Sequence, residues 1–192
     1  MRKRIHMVNR NLCALLLCCC VWPGLVHAAG ISPAVGAVAP DFTARNLVTG
    51  EKVHLSAEQG KLVFLTFWAS WCPPCRRELP ILENVQKKLG KDKVMVYAVS
   101  FRDREEALHE IRKQAKAKDW QISLLEDSSG RIAERYGIEA IPHLFIIGRD
   151  GKILAIHTGY GEGSIDELVA DINAALKGAN EAPAADKPAT PQ

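Results

Sequence analysis

The sequence predicts an α/β protein in three layers, a mixed central sheet with helices on both faces. Three observations carry that prediction. Short apolar runs rich in Val, Ile and aromatic residues alternate with segments whose apolar positions recur at helical spacing. The last two runs are separated by Arg149-Asp150-Gly151, a turn signal, so a hairpin closes one side of the sheet. A further helix-patterned segment then follows, which an α/β sandwich uses to cover a face.

The ends are set apart from this domain. Arg2, Lys3, Arg4 and Arg10 precede a short apolar core, Leu12 to Val21, and Val26-His27-Ala28 offers small residues for cleavage, so positions 1–28 are expected to be an export signal. The apolar core falls short of the roughly 20 residues of a spanning helix, which leaves an uncleaved anchor as the alternative. Leu17 ahead of Cys18 does not fit a lipid-modified cysteine. Cleavage after Ala28 removes Cys13, Cys18, Cys19 and Cys20, so Cys72 and Cys75 alone remain of six cysteines. Four basic residues leave with the signal, and the 21 Lys and Arg that stay nearly balance 22 Asp and Glu. Nothing in that balance indicates a nucleic-acid surface. At the other end, positions 178–192 are rich in Ala, Pro and Lys without apolar periodicity and are expected to be a disordered tail. One domain, 29–177, lies between.

Within the domain, Val35 to Phe42 opens an extended segment. The turn residues of Asn46 to Gly50, followed by the alternation of Glu51 to Leu55, suggest an N-terminal hairpin. Leu62 to Trp68 is a buried strand, and Leu79, Leu82, Val85 and Leu89 mark one face of a helix from Arg76 to Leu89. Val94 to Phe101 is a second apolar strand. A charged helix follows from Arg104 to Lys118, then a short strand at Ile122 to Leu125, forming a central βα insertion. Asp127-Ser128-Ser129 caps a helix from Gly130 to Tyr136, and Gly137 stops it. Strands His143 to Ile147 and Lys152 to His157 form the closing hairpin. Gly159, Gly161 and Gly163 make a turn, and Ser164 caps a last helix from Ile165 to Leu176.

The chemistry concentrates in Trp71-Cys72-Pro73-Pro74-Cys75, between the first long strand and its helix. Unpaired N–H groups and the helix dipole stabilise a thiolate at such a site. The two prolines suit a first helical turn, where a missing N–H costs little. A structural zinc site needs about four ligands, and no second Cys pair or close His pair supplies them. A purely structural disulfide across two residues would remove little loop entropy. Haem attachment needs His after the second Cys, where Arg76 stands. Redox exchange between dithiol and disulfide is the expectation, and it calls for no cofactor.

The Cys-x-x-Cys on the first βα turn, with Pro142 opening a later hairpin strand, resembles thioredoxin. More narrowly, Ala39-Pro40-Asp41-Phe42-Thr43, the run from Phe67 to Pro80 and the long segment before Ile141 resemble the TlpA/ResA group of bacterial extracytoplasmic thioredoxins. The resemblance spans about Val35 to Leu176. It implies Cys72 as nucleophile, Cys75 as resolving cysteine, a cis Pro142 facing them, and Trp71, Ile141 and His143 on the substrate groove. Pro80 takes the place of the family's helix-kinking proline. Thr66 stands where cytoplasmic thioredoxins bury an Asp. The nearest substitute is Asp103, with Glu105 second, as proton acceptor for Cys75; the alternative is that Asp103 caps the helix after it. His143 replaces a common Thr, and either perturbs Cys72 or is a partly exposed strand residue.

The function so implied is an exported thiol–disulfide oxidoreductase, expected as a periplasmic monomer that reduces protein disulfides and is recharged by a membrane electron donor. Apocytochrome c thiols and copper-site cysteines are the substrates the resemblance suggests. Pro73-Pro74 places no charge between the cysteines, which favours a reductant. An exported oxidant and a copper chaperone using the same cysteines are the alternatives, although copper carriers of this fold usually space their cysteines by three residues. Peroxiredoxins share the Ala-Pro-Asp-Phe start, but their peroxidatic cysteine context is absent.

Overall fold

The computed structural model describes residues 32–159 and 164–181. The expected signal segment, Gly161, Gly163, the side chain of Ser164 and positions 182–192 lie outside the described residues. Among the described residues seven strands form one sheet in the order β2-β1-β5-β4-β3-β6-β7. They are β1 (Thr43–Asn46), β2 (Lys52–His54), β3 (Leu62–Trp68), β4 (Val94–Ser100), β5 (Ser123–Glu126), β6 (His143–Ile147) and β7 (Ile153–Thr158). The sheet is mixed. β3, β4 and β5 run parallel, while β1 joins β5 and β6 joins β3 antiparallel. The β1–β2 hairpin and the returning β6–β7 pair are both antiparallel, as the turn signals predict.

Among the described residues four α-helices cover the sheet: α1 (Cys75–Leu89), α2 (Glu105–Ala117), α3 (Arg131–Arg135) and α4 (Ser164–Glu181). Side chains alternate across a strand, and β3 is buried along its whole length, so it feeds two cores. Leu62, Phe64 and Trp68 join Leu79 and Leu82 of α1, Leu108 and Ala115 of α2, and Leu168 and Ile172 of α4. On the opposite face Val63, Leu65 and Phe67 meet Ile132 and Ala133 of α3 together with Phe42 and Leu55 from the N-terminal segment. There Phe42, Phe67, Tyr136 and Phe145 pack edge-on or tilted at 5.0–6.3 Å between ring centroids, a favourable aromatic arrangement. The Tyr136 hydroxyl donates to the Pro40 carbonyl at 2.7 Å and holds the N-terminal segment to this core.

Local signals explain most element limits. Asp127 accepts hydrogen bonds from the amides of Ile132 and Ala133 and so caps α3, as Asp127-Ser128-Ser129 predicts. Gly137, at φ +63°, turns the chain away from α3, and a Cβ there would lie 2.9 Å from the Ser32 backbone. α4 runs to Glu181, so the helix carries four residues past the boundary expected at 177, beyond the reach of its apolar pattern.

Candidate active site

β3 ends at Trp68, and the chain turns through Ala69 to Pro74 before α1 begins at Cys75. The Cys72 amide donates to the Ala69 carbonyl at 3.1 Å, which closes this turn. Pro74 holds the N-cap position, where its missing N–H leaves no helical bond unmade. Cys72 and Cys75 form a disulfide with Cα atoms 5.4 Å apart. The first N–H of the helix, that of Cys75, points at Cys72 Sγ across 3.2 Å. That donor and the helix start stabilise negative charge on Cys72 Sγ once the bond is reduced. Cys75 is wholly enclosed. Cys72 is itself buried but keeps 4 % exposure, and it lies between exposed Trp71 and exposed Pro73. The sulfur that a large substrate meets is therefore the Cys72 sulfur.

One helical turn beyond Cys75, on the same buried face, stands Glu78. It is 5 % exposed, and its Oε1 accepts a 2.7 Å hydrogen bond from the hydroxyl of fully buried Thr66. Burial pushes the Glu78 carboxyl above its ordinary value, and the Thr66 bond opposes part of that rise. Thr66, which stands in place of the buried Asp of cytoplasmic thioredoxins, is thus paired with a buried carboxyl from α1. The signal was available: Cys75, Glu78 and Leu82 share a helical face, so the apolar stripe of α1 contains a carboxyl.

Asp103 is placed differently. Its Oδ1 accepts from the Ser70 hydroxyl at 2.6 Å and the Ser70 amide at 3.1 Å, and its Oδ2 accepts from the Ser100 hydroxyl at 3.1 Å. The carboxylate bridges the end of β4 to the loop carrying Trp71 and Cys72. Arg104 occupies the N-cap position of α2, without a side-chain cap bond. Glu105 begins α2 and is exposed.

The Ile141–Pro142 peptide is cis, and Pro142 is buried with its carbonyl accepting from the Gly159 amide at 2.8 Å. His143 pairs with Phe67 across β3 and β6. Continuing that antiparallel register by one step sets Pro142 across from Trp68, beside the active-site turn. Ile141 is half-buried and touches both cores. His143 turns the other way. It stacks on Phe145 with ring centroids 4.8 Å apart, and its Nε2 lies 3.4 Å from the Thr158 hydroxyl. Phe145 belongs to the core on the α3 face and the two cysteines to the core on the α1 face. Burial lowers the His143 value from the ordinary 6.5. Trp71, at 58 % exposed, presents its ring to solvent next to Cys72.

The AhpC/TSA family model matches residues 35–156, the stretch from the N-terminal segment into β7. The chain belongs to the AhpC/TSA family. Among similar proteins, the thioredoxin-like protein YneN of Bacillus subtilis is 40 % identical over 124 residues, covering 65 % of this chain and 71 % of YneN. The thiol-disulfide oxidoreductase ResA of Geobacillus thermodenitrificans is 31 % identical over 164 residues, 83 % of this chain and 91 % of ResA. A solved Chlorobium tepidum structure, assigned as a thiol:disulfide interchange protein of the DsbE type, superposes with a TM-score of 0.66 at 32 % identity and covers 76 % of this chain and 99 % of its own. The fold is thioredoxin-like, and this AhpC/TSA member is a thiol–disulfide oxidoreductase similar to the ResA and DsbE proteins.

Proposed function

We propose that this oxidoreductase is exported and works as a reductant of protein disulfides. In the dithiol form the Cys72 thiolate attacks one sulfur of a substrate disulfide and forms a mixed disulfide, and the expelled substrate thiolate takes a proton from solvent. Cys75 then passes its proton to the Glu78 carboxylate and attacks Cys72 Sγ. The second substrate thiolate leaves, and the Cys72–Cys75 disulfide remains. Two electrons have moved from the protein to its substrate, so a dithiol donor at the membrane must restore them. Asp103 holds the active-site turn in place during these steps, and Trp71, Ile141 and the cis Pro142 form the surface on which the substrate chain lies.

The single observation that carries this reading is the placement of Glu78, a buried carboxyl one turn from a fully enclosed Cys75. An enclosed thiol has no solvent base, so an internal acceptor is what makes it a competent attacker. The direction rests on Pro73-Pro74, which adds no charge to stabilise the dithiol form. Export rests on the signal pattern of positions 1–28, and no described helix is long and apolar enough to cross a membrane. Candidate substrates, by likeness to the relatives, are the cysteines of apocytochrome c or of a copper site.

Equilibration of the Cys72–Cys75 pair with dithiothreitol and glutathione buffers tests the direction. A reduction potential near −270 mV, about that of thioredoxin, is expected for a reductant. A value near −120 mV, about that of strong periplasmic oxidants, would reverse the assignment.

A further inference from the structure

A groove of about 370 Å³ opens between α1 and α2. Its floor is apolar, built by Trp68 at the end of β3, Leu79 of α1, Ala115 of α2 and Leu124 of β5, all buried. Half-buried Ile111 and Trp120 add apolar wall. Protein interiors ordinarily close such space with side chains, and an open apolar recess of this size suits a large side chain from outside. The rim is charged. Arg76 and Lys118 are exposed there against one carboxylate, that of Glu110, so the rim favours an acidic neighbour.

The groove adjoins the redox turn, although neither cysteine lines it. Ser70, which Asp103 anchors two residues before Cys72, lines it, as does Arg76, the residue after Cys75. A polypeptide joined to Cys72 in a mixed disulfide has the groove's lining residue Ser70 two positions away along the redox turn. Thiol exchange itself requires no apolar recess, so the groove bears on which polypeptide is accepted.

We propose that the α1–α2 groove is a specificity subsite that receives a bulky apolar side chain, with a carboxylate next to it, from the substrate segment beside its reactive cysteine. The proposal rests on the disulfide-reductase reading and narrows its substrate class.

Three disulfide-cyclised peptides test it, identical except for Leu-Asp, Ser-Asp or Leu-Lys in the segment flanking one cysteine. The reduced protein is expected to turn over the Leu-Asp peptide with a kcat/KM about tenfold above the Ser-Asp peptide, the scale of one apolar side chain in a pocket. Lys118→Glu is expected to reverse the preference for Leu-Asp over Leu-Lys. Ala107→Trp, which fills the groove from α2, removes the Leu preference and leaves exchange with glutathione disulfide unchanged. Equal kcat/KM for the three peptides on the wild type overturns the subsite while leaving the reductase intact. If Ala107→Trp also impairs glutathione disulfide exchange, its fold is damaged and Lys118→Glu decides: an unreversed charge preference overturns the proposal. A wild type that reduces neither glutathione disulfide nor any peptide overturns the reductase reading and the subsite together.

Discussion

Two carboxylates near the disulfide differ in what surrounds them. Glu78 is enclosed on α1 and has one hydrogen-bond donor, Thr66, while burial works against its charge. Asp103 lies half-buried between β4 and α2 and binds three donor groups from Ser70 and Ser100. A buried carboxyl with few donors gains and loses a proton at moderate cost, which is what proton transfer with a thiol asks for. A carboxylate that ties two chain segments together is an anchor, and its worth lies in geometry. Closeness in sequence to the cysteines would not separate the two roles; their donors do.

The largest effects should fall on the proton-transfer side. Cys75→Ser should end turnover and leave a persistent mixed disulfide on Cys72, detectable by mass spectrometry as a covalent adduct. Glu78→Gln should reach the same adduct by a slower route. Its resolution rate is expected to fall about a hundredfold, the lower range for loss of a general base, while the first attack by Cys72 keeps its rate. Loss of the first step alone would remove Glu78 from the role. Glu78→Gln also carries a stability signature. The raised carboxyl value means that folding gains from the protonated form below the ordinary carboxylate range and loses that gain as pH rises through the folded value. The Gln variant should therefore become more stable relative to wild type as pH rises, measured by denaturant midpoints.

The contrast also shows what the sequence could convey. Strand and helix order was legible because β3, β4 and β6 are continuous apolar runs and α1 and α2 carry apolar stripes at helical spacing. The redox pair was legible from its spacing and its place between strand and helix. The surroundings of the two carboxylates were not, because each depends on contacts far apart in the chain. Asp103 meets Ser70 across 33 positions, and Glu78 meets Thr66 only through the packing of α1 on β3. His143 was ambiguous for a related reason. Strand alternation puts its ring on one of two faces, and the sheet register alone decides which.

The anchor should respond on a smaller scale and on a different readout. Asp103→Ala frees the Ser70 amide and hydroxyl and should cost about 1.5–3 kcal/mol of stability, the range for hydrogen bonds to charged groups. The KM for a protein disulfide should rise several-fold as Trp71 and Cys72 lose their fixed placement, while the pH–rate profile for resolution stays where it was. A shifted profile would give Asp103 a part in proton transfer. Thr66→Val acts on the other carboxylate and should do the reverse. It removes the donor that favours ionised Glu78, so the rising limb of the resolution profile should move to higher pH with KM unchanged. An unmoved limb would mean that a group other than Glu78 titrates there.

The smallest effect is expected at His143, and its sign follows from burial. The ring stacks on Phe145 in the core facing α3, and desolvation holds its value below the ordinary 6.5. Well above pH 6.5 the imidazole is neutral in both folded and unfolded chains and contributes no pH dependence. As pH falls below 6.5 the unfolded chain binds a proton that the folded ring resists, and stability declines by at most about 1.4 kcal/mol per pH unit until the folded value is passed. His143→Phe keeps an aromatic ring against Phe145 and removes the titration, so its loss of stability between pH 7.5 and pH 5.5 should be shallower than that of wild type in paired denaturant titrations. Equal slopes would mean that the folded protein protonates His143 as readily as the unfolded chain does. That outcome would place a charged imidazole against Phe145, in the core facing α3 and away from the two cysteines.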